Sequence, residues 1–170
     1  MSKHYVHAYI GNGKGKSTAA AGLAVRAVGA GKKVLFVQLL KNGSSENAAL
    51  KKLGVELITP CVKGFIWNMT DEQKKTVALE INSAIDEAVT AVCKSGYDLV
   101  VFDEILDAAD SGMVEIYRLE EICRCPAEVV LTGRKLPSEI APLCGYISEI
   151  LPISHPYIND ELQPRKGIEF

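Results

Sequence analysis

The chain has 170 residues, about the length of one domain and enough to enclose a core. With 48% apolar and 24% charged residues, and 19 basic against 21 acidic side chains for a net charge of −2, it reads as a globular protein. Neither a nucleic acid nor an anionic membrane is expected as a partner held by bulk charge. No apolar run approaches the roughly 18 residues of a membrane span, and no signal pattern leads the sequence, so a cytoplasmic protein is expected.

Short apolar runs alternate with longer helical patterns, the rhythm of an α/β fold with a mostly parallel sheet flanked by crossover helices. Tyr5 to Ile10 is the first strand, and a glycine-rich loop follows it. A helix starts near Lys16 and runs through alanine-rich sequence to about Val28, with Gly29 and Gly31 as its stop. Lys33 to Leu39 is a strand buried on both faces. Lys41 to Ser45 is a polar loop, Glu46 to Leu53 a short helix, and Val55 to Ile58 a third strand. Thr70 with Gln73 has capping-box spacing. The helix behind it sets Val77, Ile81, Ile85, Ala88 and Val92 at three- and four-residue steps, and Gly96 ends it. Asp98 to Phe102 is the next strand, ending at Asp103-Glu104. Glu128 to Leu131 is another, ending at Thr132-Gly133-Arg134, and Ile147 to Ile153 is the last. From His155 onward the sequence predicts an irregular tail whose closing Gly167-Ile168-Glu169-Phe170 docks back on a single domain spanning residues 1–170.

The strongest chemical signal is Gly11-Asn12-Gly13-Lys14-Gly15-Lys16-Ser17-Thr18 between a strand and a helix. Glycines there let backbone N–H groups converge on phosphate oxygens, and the helix adds its free N–H groups and positive dipole end. Lys16 reaches phosphate charge and the Ser17 hydroxyl is a Mg²⁺ ligand. The common form of this loop has glycine where this chain has Ile10, so the loop is one residue tighter. At a strand's carboxyl end Asp103 and Glu104 are candidates to hold Mg²⁺, or to position a water as in many ATPases. Arg134 sits at the end of another strand and can take a phosphate through two parallel bonds. Phe65 and Trp67, two apart in a loop, either line a flat ligand or pack on the domain. Of the five cysteines, Cys61, Cys93, Cys123, Cys125 and Cys144, only Cys123 and Cys125 are close, without the spacing of a zinc site. Free thiols are expected.

Together these residues resemble the P-loop-type ATP:corrinoid (cob(I)alamin) adenosyltransferase family. The resemblance rests on the short loop, Arg26 and Gly29 in the following helix, and the segments Val37 to Lys41, Gly64 to Trp67, Val101 to Glu104 and Leu131 to Arg134. Ser154 to Tyr157 and Arg165 to Phe170 complete it. It implies a P-loop NTPase-like, RecA-like fold. The implied reaction moves the 5′-deoxyadenosyl group of ATP onto the cobalt of a reduced corrinoid and releases triphosphate. Cob(I)alamin brings its own electron pair, so the protein need only grip the leaving triphosphate and Mg²⁺.

By resemblance Lys14, Lys16, Ser17 and Arg134 do this, with Asp103 or Glu104 near the metal and Asn12 at the ribose. Phe65 and Trp67 then lie against the lower face of the corrinoid and keep a lower ligand off cobalt. A homodimer and an electron donor such as a flavoprotein are implied as partners. Two departures stand out. Some members carry a longer amino-terminal segment over the corrinoid than the nine or ten residues that precede this loop, so less cover is expected. Ile158 to Leu162 is more acidic than the family pattern. Two other readings remain: a P-loop ATPase or kinase transferring the γ-phosphoryl group, and a non-catalytic nucleotide- or corrinoid-binding protein.

Overall fold

A computed structural model describes residues 4–41, 44–60, 69–154, 156 and 163–168. Its strands are β1 (Val6–Ile10), β2 (Val34–Gln38), β3 (Glu56–Ile58), β4 (Leu99–Asp103), β5 (Glu128–Thr132) and β6 (Tyr146–Glu149). The helices are α1 (Lys16–Gly29), α2 (Glu46–Lys52), α3 (Asp71–Ser95), α4 (Ile105–Asp110) and α5 (Ile116–Cys123). The strands form one sheet in the order β3-β2-β4-β5-β1-β6, and all of its pairings are parallel. This is the α/β architecture that the alternation of runs predicts.

The unbroken apolar runs of β2 and β4 follow from their central position, since both are buried along their whole length. Alternate residues of a strand point to opposite faces, and the packing divides accordingly. Val34, Phe36, Leu99, Val101 and Val130 pack with Ala20 and Ala24 of α1. Leu35, Val37, Val100, Phe102, Val129 and Leu131 pack with Ile81, Ile85, Ala88 and Val92 of α3. The two alanines are fully buried, and their small side chains let α1 lie close to the sheet.

The ends of α3 follow the predicted chemistry. The Thr70 hydroxyl accepts from Gln73 N–H at 3.3 Å, the Gln73 side chain accepts from Thr70 N–H at 2.9 Å, and Gly96 stops the helix at φ 63°. Elsewhere the boundaries move. β6 ends at Glu149 instead of Ile153: the Ile150 N–H still donates to the Ile10 carbonyl, but the Ile150 carbonyl is taken by Gly13 of the glycine loop, and Pro152 has no N–H to give. Helices α4 and α5 fall where the sequence reading placed no element; at six and eight residues they are too short for a clear period.

Candidate functional site

β1, β2, β4 and β5 all end on one side of the sheet, so the segments leaving them meet there. A cavity of about 540 Å³ opens at this edge. Gly13 to Thr18 line it, together with Lys41, Glu104, Asp107 and Gly133. Gly167 and Ile168 of the tail also line it, whereas Glu169 and Phe170 lie outside the described residues.

The loop is held by backbone bonds. Gly11 N–H donates to the Arg134 carbonyl at 3.0 Å and Gly13 N–H to the Ile150 carbonyl at 2.8 Å. These two N–H groups thus anchor the loop to neighbouring strand ends. The need for glycine is steric, because a β-carbon at Gly13 would stand 2.7 Å from the Ile150 carbonyl oxygen. At Gly11 it would stand 2.4 Å from the same atom, on a backbone at φ +103°. Gly15, at φ +117°, has open space around it and needs glycine only for its backbone. An incoming anion is left the first turn of α1, whose N–H groups at Lys16, Ser17 and Thr18 have no intrahelical acceptor.

The side chains converge more closely than sequence alone implies. The Ser17 hydroxyl accepts from Lys41 Nζ at 2.7 Å. The same ammonium lies 3.4 Å from Asp103 Oδ2 and 3.3 Å from Glu104 Oε1. Asp103 is fully buried, and its other oxygen accepts from the Thr132 hydroxyl at 2.7 Å. Thr132 Oγ1 in turn accepts from Glu104 N–H at 2.8 Å. Glu104 sits at φ 64°, the one non-glycine in the left-handed region among the described residues. Such strain persists where surroundings hold it, and the Thr132 bond is part of that hold.

Burial pushes the Glu104 carboxyl up, and Asp103 adds to this against the pull of Lys41. Burial works to lower the Lys41 ammonium, but Asp103 and Glu104 outweigh it and hold it above its ordinary range. Lys16 is pushed down, chiefly by burial, with Arg134 and Lys41 adding to the shift and Asp107 opposing it. Its ammonium bonds the Gly13 carbonyl at 2.9 Å.

Of the predicted residues, Gly13, Lys14, Gly15, Lys16, Ser17, Thr18 and Glu104 line the cavity. Asp103 lies behind Glu104 and meets the cluster through Lys41, while Gly11 is buried beneath the loop. Asn12 and Arg134 are exposed and outside the lining, although the Arg134 charge is felt at Lys16. Phe65 and Trp67 lie outside the described residues. Sequence reasoning missed Lys41, Thr132 and Asp107, whose Oδ1 accepts from Arg134 N–H at 3.0 Å. Lys41 carried one usable signal: it follows a buried strand at the sheet edge where the acid pair also ends. Cys93, Cys123, Cys125 and Cys144 are free thiols, as expected, and play no part in the cavity; Cys61 lies outside the described residues. Among the described residues no helix is long and apolar enough to cross a membrane.

Comparison with known proteins bears on what enters this cavity. The family model for ATP:corrinoid adenosyltransferase BtuR/CobO/CobP matches residues 2–170. A corrinoid adenosyltransferase of Escherichia coli (strain K12) is 34% identical over 159 residues, covering 88% of this chain and 77% of that protein. One from Pseudomonas aeruginosa is 32% identical over 166 residues, covering 94% and 80%. The corrinoid adenosyltransferase CobA of Salmonella typhimurium is 31% identical over 172 residues, covering 95% and 83%.

Proposed function

The chain belongs to the ATP:corrinoid adenosyltransferase family, and on that premise we propose that it transfers the 5′-deoxyadenosyl group of ATP to the Co(I) of a reduced corrinoid and releases triphosphate. The observation that carries the reading is the cavity at the strand ends, where the loop from Gly13 to Thr18 faces the acid at Glu104 with Asp103 behind it. Cob(I) attacks C5′ with its own electron pair, the C5′–O bond breaks, and the electrons leave on the triphosphate. The protein's task is to hold that leaving group.

The first-turn N–H groups of α1 and the ammonium groups of Lys14 and Lys16 would bind the phosphates, with Arg134 reaching in from the rim. Its exposed side chain agrees with a group that closes on bound ligand. Asn12 is the candidate contact for the ribose. Ser17, Asp103 and Glu104 are the residues that would hold Mg²⁺. Their fit has a local test: three oxygens of these residues already surround one cation, the Lys41 ammonium, at 2.7–3.4 Å. Hard oxygen donors suit Mg²⁺, which stays bound to several waters or phosphate oxygens. When bound, the ion would neutralise charge on the departing triphosphate. Phe65 and Trp67 are proposed to lie against the corrinoid's lower face, and a reducing partner such as a flavoprotein would supply Co(I).

The test is anaerobic. The protein is mixed with Mg-ATP and chemically reduced cob(I)alamin, the visible spectrum is followed, and the phosphate product is identified. Light-sensitive adenosylcobalamin with triphosphate is the expected result. ADP, or bound ATP with unalkylated corrinoid, would overturn the reading in favour of phosphoryl transfer or simple binding.

A further inference from the structure

Lys41 stands where a cation belongs. Its ammonium is 2.7 Å from Ser17 Oγ, 3.4 Å from Asp103 Oδ2 and 3.3 Å from Glu104 Oε1. The side chain is 31% exposed, the Asp103 side chain fully buried and that of Glu104 23% exposed. Two carboxylates brought so close in a poorly hydrated place repel each other and attract any divalent ion. Here one positive charge of the chain itself meets that demand. Among the described residues no group of three or more acidic, histidine or cysteine side chains is arranged to hold a metal. The protein's own ligands are therefore few, and a bare ion would have to displace Lys41 for little coordination in return.

We propose that Lys41 is a resident counter-ion that bars free divalent cations from the Ser17–Asp103–Glu104 cluster, so that the metal enters only as its nucleotide chelate. This rests on the reading of the cavity as a metal–nucleotide site. A triphosphate arriving with its ion supplies oxygens that complete the metal's coordination. It also supplies anionic charge to receive the displaced ammonium, which lines the same cavity. Exchange of one cation for another then links nucleotide binding to metal binding. Lys41 acts here as a gate on the order of binding, a role separate from the phosphate-gripping lysines of the loop.

The experiment uses Mn²⁺ as the probe, read by the loss of its free electron paramagnetic resonance signal. The full chain is titrated without nucleotide, as wild type and as Lys41→Met, Lys41→Gln and Lys41→Arg. Wild type and Lys41→Arg should show no saturable site at low millimolar Mn²⁺. Lys41→Met and Lys41→Gln should gain one bound about tenfold tighter or more, since a unit charge at this range is removed. Asp103→Asn in the Lys41→Met background should abolish the gain. Circular dichroism checks folding, and Lys41→Gln decides if the methionine variant does not fold.

A folded, neutral variant that binds no more Mn²⁺ than wild type would overturn the proposal, as would an equal gain in Lys41→Arg. So would a wild type that already binds bare Mn²⁺ as tightly as the variants. Titration of the wild type with Mn-ATP is read separately. Failure to bind the chelate would count against the metal–nucleotide reading itself, whatever the bare-ion result.

Discussion

Thr132 ties the acid pair together, and its removal has a calculable cost. The buried hydroxyl donates to Asp103 Oδ1 at 2.7 Å and accepts from Glu104 N–H at 2.8 Å. Thr132→Val keeps the shape and deletes both bonds, leaving a buried carboxylate oxygen and a part-buried N–H without that partner. A hydrogen bond to a charged group contributes about 1.5–3 kcal/mol and a neutral one about 1 kcal/mol. The variant should therefore lose roughly 2.5–4 kcal/mol. For a chain of this size that corresponds to a fall in Tm of about 5–15 °C. Thermal unfolding followed by circular dichroism measures it, with Thr132→Ser as the control that keeps the hydroxyl. A valine variant within about 2 °C of wild type, or a serine variant equally damaged, would refute the account. Because Thr132 also holds Glu104 in its left-handed conformation, Mn-ATP affinity should fall in the valine variant and be largely kept in the serine one.

Glu104→Gly and Glu104→Ala both remove the carboxylate, but only alanine keeps the strain at φ 64°, so denaturant unfolding should find the glycine variant more stable by about 1 kcal/mol. Gly13→Ala should displace the loop and sharply weaken nucleotide binding by calorimetry; adding Ile150→Ala relieves only the Cγ2 contact at 2.8 Å and leaves the carbonyl, so recovery should be partial. Tyr97 donates to Glu56 Oε2 at 2.5 Å, and burial first, with that carboxylate's help, pushes its phenol up to about 12. An unfolded tyrosine ionises near pH 10, so the folded state binds the extra proton between about pH 10 and 12, and the contribution is full below this window and lost across it. Tyr97→Phe should therefore show a shallower fall in stability over that range in urea titrations. Trp67→Ala should impair adenosylation more than ATP binding; equal losses in single-turnover and calorimetric assays would remove the case for a corrinoid-facing tryptophan.

Local signals were the readable ones. The continuous apolar runs of β2 and β4 mark central strands because both faces are covered. The Thr70–Gln73 box and Gly96 bracket α3 because caps act within a few residues. The glycine loop is legible as a motif, yet the reason for two of its glycines is not. Gly11 and Gly13 are constrained by Ile150, whose approach depends on β6 pairing beside β1. Thr132 joins Asp103 because β4 and β5 pair with Phe102 opposite Leu131. Lys41 reaches the acids because β2 and β4 pair with Gln38 opposite Asp103. Register between strands far apart in sequence decides these contacts, and no period along the chain encodes it. The short helices α4 and α5 escaped for a different reason, since fewer than three turns give the eye no repeat.

The chemistry of the cavity lining favours a substitution that needs no proton transfer. Among the described residues that line it there is no histidine and no cysteine; its ionisable groups are Lys14, Lys16, Lys41, Glu46, Glu104 and Asp107. A kinase acting on a hydroxyl needs a base poised to take a proton. Glu104, an acid of that lining, is instead assigned to the metal and is fixed by a strained backbone. A nucleophile that arrives with its electron pair free makes no such demand. What remains for the protein is to meet negative charge as it gathers on a departing triphosphate, which calls for fixed cations, helix N–H groups and an ion. On the proposed reading the loop lysines and α1 would supply the first two, and the Ser17–Asp103–Glu104 cluster, with Lys41 displaced, would hold the third.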